Sequence, residues 1–295
     1  MATTINNAFS EFASNLELTD RQANLVSTRR ENVIKSFKQA LTLHTEEAKV
    51  IGSWDRKTLT RYLYECDVDV MVILSYGIHK DWDTGPGTVA VLDRFRSVLS
   101  GAYPQTTMRR DRNCITMQFS EFRLDVVPAF KYNEGYYSIP DSIRQKWVLT
   151  NPFAFAAKVT EINKAMGGAF VPLIKMVKAW NRHVDWPIRS FHIECMMVQR
   201  YQHYTQGYTY SSMLKRFFES LPGYLAQPTI DPVMGDRVDT YLDNNATKTR
   251  RQVAKEKAQA AAAAAKEALE DEEKYPPVAI NEWKALLGEF FPNYG

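Results

Sequence analysis

Cysteine is scarce here, and the little there is follows no pattern. Cys66, Cys114 and Cys195 are an odd number at wide spacing in 295 residues. That excludes a disulfide-stapled framework and a zinc-ribbon spacing, and it points to a reduced, cytoplasmic setting. No run of about 18 apolar residues occurs, so neither a transmembrane helix nor a membrane partner is expected. The opening Met1-Ala2-Thr3-Thr4 lacks the basic-then-apolar order of a secretory leader. Charge of one sign is equally short: 37 Lys and Arg against 34 Asp and Glu leave +3, too nearly neutral for a long nucleic-acid track. The phosphate loop G-x-x-x-x-G-K-[ST], the dinucleotide fingerprint G-x-G-x-x-G and the nucleophile elbow G-x-S-x-G are all missing. The five histidines, His44, His79, His183, His192 and His203, make no H-E-x-x-H.

What is present suits a soluble chain with a real core. Apolar residues make up 45%, and the length allows one large two-lobed domain or two modest ones. Leu25, Val33, Ile34, Phe37 and Leu41 recur at helical spacing and predict a long amphipathic helix over 20–44. A short strand over 48–51 ends at Gly52-Ser53, and 67–74 is a stronger strand candidate. Pro86 opens a helix carrying Val89, Leu92, Phe95, Val98 and Leu99. Strands follow over 115–119 and 122–129, pairing as a hairpin. Asn151-Pro152 supplies an N-cap and a first helical residue. Helical patterns then cover 171–182, 190–202, 211–220 and 246–272, and Pro276-Pro277 breaks the last. The alanine-rich 258–268 reads as a solvent-edged helix and not a disordered tail. Trp283, Leu286, Leu287, Phe290 and Phe291 close the chain as an apolar stripe over 280–291. The fold class is therefore α+β: a mixed-sheet lobe over 1–150, then an all-helical lobe over 151–295.

The chemistry gathers on three acids. Asp67 and Asp69 begin the apolar strand 67–74 and point to one face, roughly 7 Å apart. Two such carboxylates can share divalent ions; the plainer reading is a strand end in water. Asp125 changes the balance, because it sits inside the apolar run Phe122-Arg123-Leu124-Asp125-Val126-Val127. A buried acid is costly unless paired, for instance with Arg123, or bound to metal. Three aspartates holding two metal ions would supply the standard physics of phosphoryl transfer. Gly52 lets the backbone approach a phosphate and Ser53 adds a hydroxyl, although Gly-Ser is also an ordinary turn. Lys175 and Lys178 share a face of an apolar helix, where they either snorkel to solvent or reach a triphosphate. Ser190 is a plausible N-cap or phosphate donor, and Phe191 is core or a platform for a base.

These residues resemble a known family. Gly52-Ser53 with Thr58, Asp67-Val68-Asp69 and Leu124-Asp125-Val126-Val127-Pro128-Ala129 look like the nucleotidyltransferase signature of the polymerase-β superfamily. The segment from Leu173 through Asn181, Ser190-Phe191-His192-Ile193-Glu194, Asp231-Pro232 with Val238, and the closing stretch from Trp283 to Pro292 resemble the oligoadenylate synthetase and cGAS/DncV-like enzymes, the bacterial CD-NTases. The resemblance implies a polymerase-β-like lobe and a helical lobe with the active site in the cleft between them. It implies that Asp67, Asp69 and Asp125 bind two Mg2+ ions, with Mn2+ as the alternative, and that Asp125 helps activate the attacking ribose hydroxyl. Gly52, Ser53, Lys178, Ser190 and, less securely, Lys175 would hold the donor triphosphate. Phe191 stands where the family often has a base-stacking tyrosine, and it keeps the face without the hydroxyl.

The implied activity is condensation of nucleoside triphosphates, ATP among them, into a cyclic di- or trinucleotide messenger with release of pyrophosphate, in anti-phage signalling (CBASS). The partners implied are those triphosphates and regulatory or ubiquitin-transfer-like operon proteins, the latter through a C-terminal Gly295 that competes with an ordinary frayed end. No Cys/His cluster interrupts the helical half, so no DNA activator is expected. The alternatives are a linear, template-independent nucleotide-adding enzyme and an inactive nucleotide-binding scaffold.

Overall fold

The computed structural model describes residues 3–205, 207–243 and 249–295. The chain forms two compact units: residues 18–156, and residues 1–17 together with 157–295. The sequence places a single boundary at 150/151; in the structure the first 17 residues pack with the C-terminal helices.

After α1 (Ile5–Asn15), the sheet unit opens with α2 (Asp20–Ala40), started by a reciprocal Thr19–Gln22 capping box. The helix ends at Ala40, short of the expected residue 44, because the following residues are recruited into β1 (Leu43–Ile51). The expected strand over 48–51 is the second half of β1, beyond a bulge where Glu47 takes φ 55. The four-residue α3 (Gly52–Asp55), β2 (Asp67–Leu74), α4 (Tyr76–His79) and α5 (Gly87–Ala102) follow, α5 starting after Pro86 as the sequence predicts. Then come β3 (Thr107–Arg110), β4 (Ile115–Gln118), β5 (Arg123–Asn133), β6 (Tyr136–Asp141) and β7 (Lys146–Thr150).

The sheet order is β1-β2-β5-β4-β3, with β6 on β5 and β7 on β6. Only β2–β5 is parallel, so the sheet is mixed, and β4–β5 is the expected antiparallel pair. One face buries Val68, Val70, Val72, Leu124 and Val126 against Val33 and Phe37 of α2 and Phe95 and Leu99 of α5. Each such side chain contributes about 1.5–3 kcal/mol on burial. The opposite face buries Met71, Ile73, Ala129 and Tyr137. The two-residue period of a strand puts Asp67 and Asp69 on that second face, in line with Met71 and Ile73.

The chain leaves the sheet unit within α6 (Pro152–Ala165), whose Asn151 Oδ1 accepts from the Ala154 N–H at 3.0 Å as a side-chain cap should. The helical unit contains α7 (Phe170–His183), α8 (Ser190–Tyr201), α9 (Tyr210–Tyr224), α10 (Arg250–Asp271) and α11 (Pro276–Leu287). The expected start of α10 at Ala246 lies outside the described residues; Thr249 caps the helix as observed. The alanines of α10 have a packing purpose. Ala254, Ala258, Ala261, Ala265 and Ala268 form a buried stripe where small side chains let α9 and α11 come close. Phe9 of α1 packs on Trp283 at 5.2 Å and Phe291 at 5.1 Å, which ties the N-terminal helix to the closing apolar stripe. No helix among the described residues is long and apolar enough to cross a membrane.

Candidate active site

Gly52, Ser53, Asp67, Asp69 and Asp125 all belong to the sheet unit, and the sheet brings them together. The parallel register sets Asp69 beside Asp125 and Asp67 beside Arg123. Ile51, the last residue of β1, pairs with Asp69 from the other side, so the next residue, Gly52, lies over that carboxylate. A Cβ at Gly52 would stand 2.0 Å from Asp69 Oδ2, and the residue takes φ +73. Both facts require glycine. The Ser53 carbonyl accepts from the Thr58 and Leu59 N–H groups at 2.9 and 3.1 Å, which folds the turn after Gly52 tightly.

Asp125 is the most constrained of the acids. Its Oδ1 is buried with no hydrogen-bond partner. Burial pushes its carboxyl above the ordinary value and the charge of Asp67 adds to that, while the Thr116 hydroxyl and Cys114 thiol work the other way. Thr116 is the antiparallel register partner of Asp125, and Cys114 Sγ lies 3.9 Å from its hydroxyl. Neither residue was singled out from the sequence, because only the β4–β5 register reveals them. Arg123, weighed there as a partner for Asp125, instead donates from Nε to Asp67 Oδ1 at 2.5 Å and from Nη2 to the Glu65 carbonyl at 3.1 Å.

As arranged, no three His, Cys, Asp or Glu side chains among the described residues are grouped as a metal cage, and Asp67 is engaged by Arg123. The donor set nonetheless fits a hard divalent cation. It offers carboxylate oxygens only, it leaves a buried oxygen of Asp125 uncompensated, and it places a second carboxylate on the neighbouring strand.

Lys175, Lys178, Ser190 and Phe191 belong to the helical unit. Both lysines are buried, and each has an acid. Lys175 Nζ lies 2.6 Å from Glu17 Oε2, and Lys178 Nζ lies 2.6 Å from Oε1 of the fully buried Glu194. Burial lowers the Lys175 pKa, with Lys178 adding to the drop and Glu17 opposing it. Ser190 is the first residue of α8 and not its cap; Arg189 holds that position without a side-chain bond. Ser190 and Phe191 are half-buried. The next residue, His192, is buried and bonded through Nε2 to Thr229 Oγ1 at 2.8 Å and through Nδ1 to the Tyr241 hydroxyl at 3.0 Å.

Known proteins are similar to this chain in sequence and in fold. The model of the Second Messenger Oligonucleotide or Dinucleotide Synthetase (SMODS) domain matches residues 3–163. A Cyclic AMP-AMP-AMP synthase of an Acinetobacter species is 28% identical over 280 residues, covering 87% of this chain and 78% of that protein. The Vibrio cholerae DncV cyclic AMP-GMP synthase superposes with a TM-score of 0.73 at 14% identity, over 99% of this chain and 98% of the other. Escherichia coli CdnC with ATP superposes at 0.69 and 17% identity, over 98% and 99%. The mixed sheet followed by helices is thus the polymerase-β-like fold of these enzymes. With the SMODS model covering more than half of it, this chain belongs to the cGAS/DncV-like nucleotidyltransferases (CD-NTases), the family that makes cyclic oligonucleotide second messengers from nucleoside triphosphates.

Proposed function

We propose that this protein condenses two or three nucleoside triphosphates, ATP among them, into a ring, releasing pyrophosphate at each step, and that the ring is a signal in bacterial anti-phage defence. The observation that carries the reading is the buried, unpartnered Asp125 Oδ1 beside Asp69 on the adjacent strand. Such an oxygen calls for a cation or a proton. We assign Asp67, Asp69 and Asp125 as ligands of two Mg2+ ions, with Mn2+ as a substitute. When bound, such ions lower the pKa of an attacking hydroxyl and neutralise charge on the triphosphate.

The protein's own groups supply the rest. Asp125, raised in pKa by burial, is suited to take the proton of a ribose hydroxyl. The tight Gly52-Ser53 turn offers backbone and hydroxyl donors to the donor triphosphate. Ser190 is the proposed triphosphate contact at the start of α8, and Phe191 the proposed stacking surface for a base. Lys178 is a triphosphate contact on one condition, that its ammonium exchanges Glu194 for phosphate. The name of the Acinetobacter relative favours a ring of three adenosines.

Ring closure separates this reading from linear addition. A ring has no terminal phosphate. After incubation with Mg2+ and labelled triphosphates, the main product should keep its label through phosphatase treatment and show a mass without end groups. A phosphatase-sensitive ladder of lengths would make the enzyme a linear polymerase.

A further inference from the structure

Strands β2 and β5 present two successive rungs on one face of the sheet. The inner rung is Asp69 beside Asp125; the outer is Asp67 beside Arg123. The inner rung sets like charges side by side and leaves Asp125 Oδ1 buried without a partner. The outer rung is an ion pair that solvent and ligands can reach: the Arg123 and Asp67 side chains are 39% and 45% exposed. Arg123 also spans to the Glu65 carbonyl, so its guanidinium is aimed and not freely waving. A divalent cation drawn to the inner rung competes with Arg123 for the same Asp67 oxygens. Once Asp67 is taken, Arg123 is left as a positive fork beside an anionic substrate, and guanidinium pairs with phosphate as readily as with carboxylate.

We propose that Arg123 is a displaceable counter-cation of the carboxylate site. It neutralises Asp67 while no metal is bound, and it exchanges Asp67 for a triphosphate oxygen when the metal-laden nucleotide arrives. The proposal rests on the reading that Asp67, Asp69 and Asp125 hold divalent ions. Its signature is a pair of effects in opposite directions. Removing Arg123 takes away a competitor of the metal and a ligand of the nucleotide at once. A merely structural arginine would not tighten one and weaken the other.

The test uses the full chain with Arg123→Gln and Arg123→Lys. Mn2+ affinity without nucleotide is read from the free-Mn2+ electron paramagnetic resonance signal, and KM for ATP is then measured at saturating Mn2+. Arg123→Gln should bind Mn2+ about two- to five-fold tighter, the strength of a half-exposed ion pair. Its KM for ATP should rise about ten-fold or more, as for a lost charge-assisted phosphate contact. Arg123→Lys keeps the charge but not the fork, so its Mn2+ affinity should stay within about two-fold while KM rises. Unchanged or weaker Mn2+ binding by Arg123→Gln overturns the proposal, as does an unchanged KM. If Arg123→Gln does not fold, Arg123→Lys decides, and a wild-type KM there overturns it. Asp67→Asn with Asp69→Asn separates the two claims: if that variant binds Mn2+ like the wild type, the metal reading itself fails, whatever Arg123 does.

Discussion

In the sheet unit, Asp125 keeps a buried oxygen without a partner, and its neighbour on the next strand is another acid. In the helical unit, both buried lysines have an acid of their own, Glu17 for Lys175 and Glu194 for Lys178. Folding thus leaves one buried oxygen of the first site short of compensation and settles the two lysines internally. A site of the first kind is costly to the fold unless a ligand completes it. A pair of the second kind holds the fold together and yields to a ligand only by breaking. The two arrangements therefore predict opposite mutational behaviour in the two units.

The sharpest test of that contrast is Asp67→Asn with Asp69→Asn. Turnover should fall by more than about 1,000-fold, since metal-based charge stabilisation is worth several kcal/mol. The melting temperature should hold or rise, because only charge is removed. Product mass spectrometry and a thermal melt read the two together, and activity surviving at saturating Mg2+ would break the comparison on the sheet side.

On the helical side, Lys178→Met should cost about 3–5 kcal/mol in urea unfolding, because Glu194 is left charged and buried. Adding Glu194→Gln should restore much of the loss. A Lys178→Met protein as stable as the wild type would show that the buried pair is not a structural one.

A smaller effect comes with pH. Burial lowers the His192 pKa from 6.5 to about 4. Folding therefore favours the neutral ring. That contribution is fully present above pH 6.5, declines as pH falls below 6.5, and is gone once pH has passed through about 4. It amounts to about 3 kcal/mol. Urea unfolding at pH 7 and pH 4.5 should show a steeper acid loss for the wild type than for His192→Gln. Equal slopes would clear His192 of that role.

Much of the sheet unit was legible because its signals are local. Residues 67–74 fall on β2 to the residue, Pro86 does precede α5, and Asn151 does cap α6. The spacing that puts Asp67 and Asp69 on one face needs only the period of a strand. Other features needed partners remote in sequence. Lys175 meets Glu17 across 158 residues, so no local pattern shows that it is buried and paired. Arg123 lies two residues from Asp125 yet pairs with Asp67, a choice made by the parallel register. The strands β6 and β7 were unread: they are short, and β6 carries Pro140. Helix α1 went unnoticed although Phe9, Phe12 and Leu16 mark one apolar face; all three are buried in the fold.

That first helix also has a history during synthesis. Asn15 Nδ2 donates to the Phe290 carbonyl at 3.0 Å, 275 residues further along the chain, and Phe9 and Phe12 rest on Phe291. A ribosome adding roughly 5–20 residues per second needs tens of seconds to cover that distance. Through that interval Phe9 and Phe12 lack the part of their native cover that α11 and Phe291 supply. Helix α1 is made long before its packing is complete, and each nascent chain carries this sticky helix until the Trp283 and Phe291 rings emerge. On a crowded polysome those helices can meet one another before they meet their own rings.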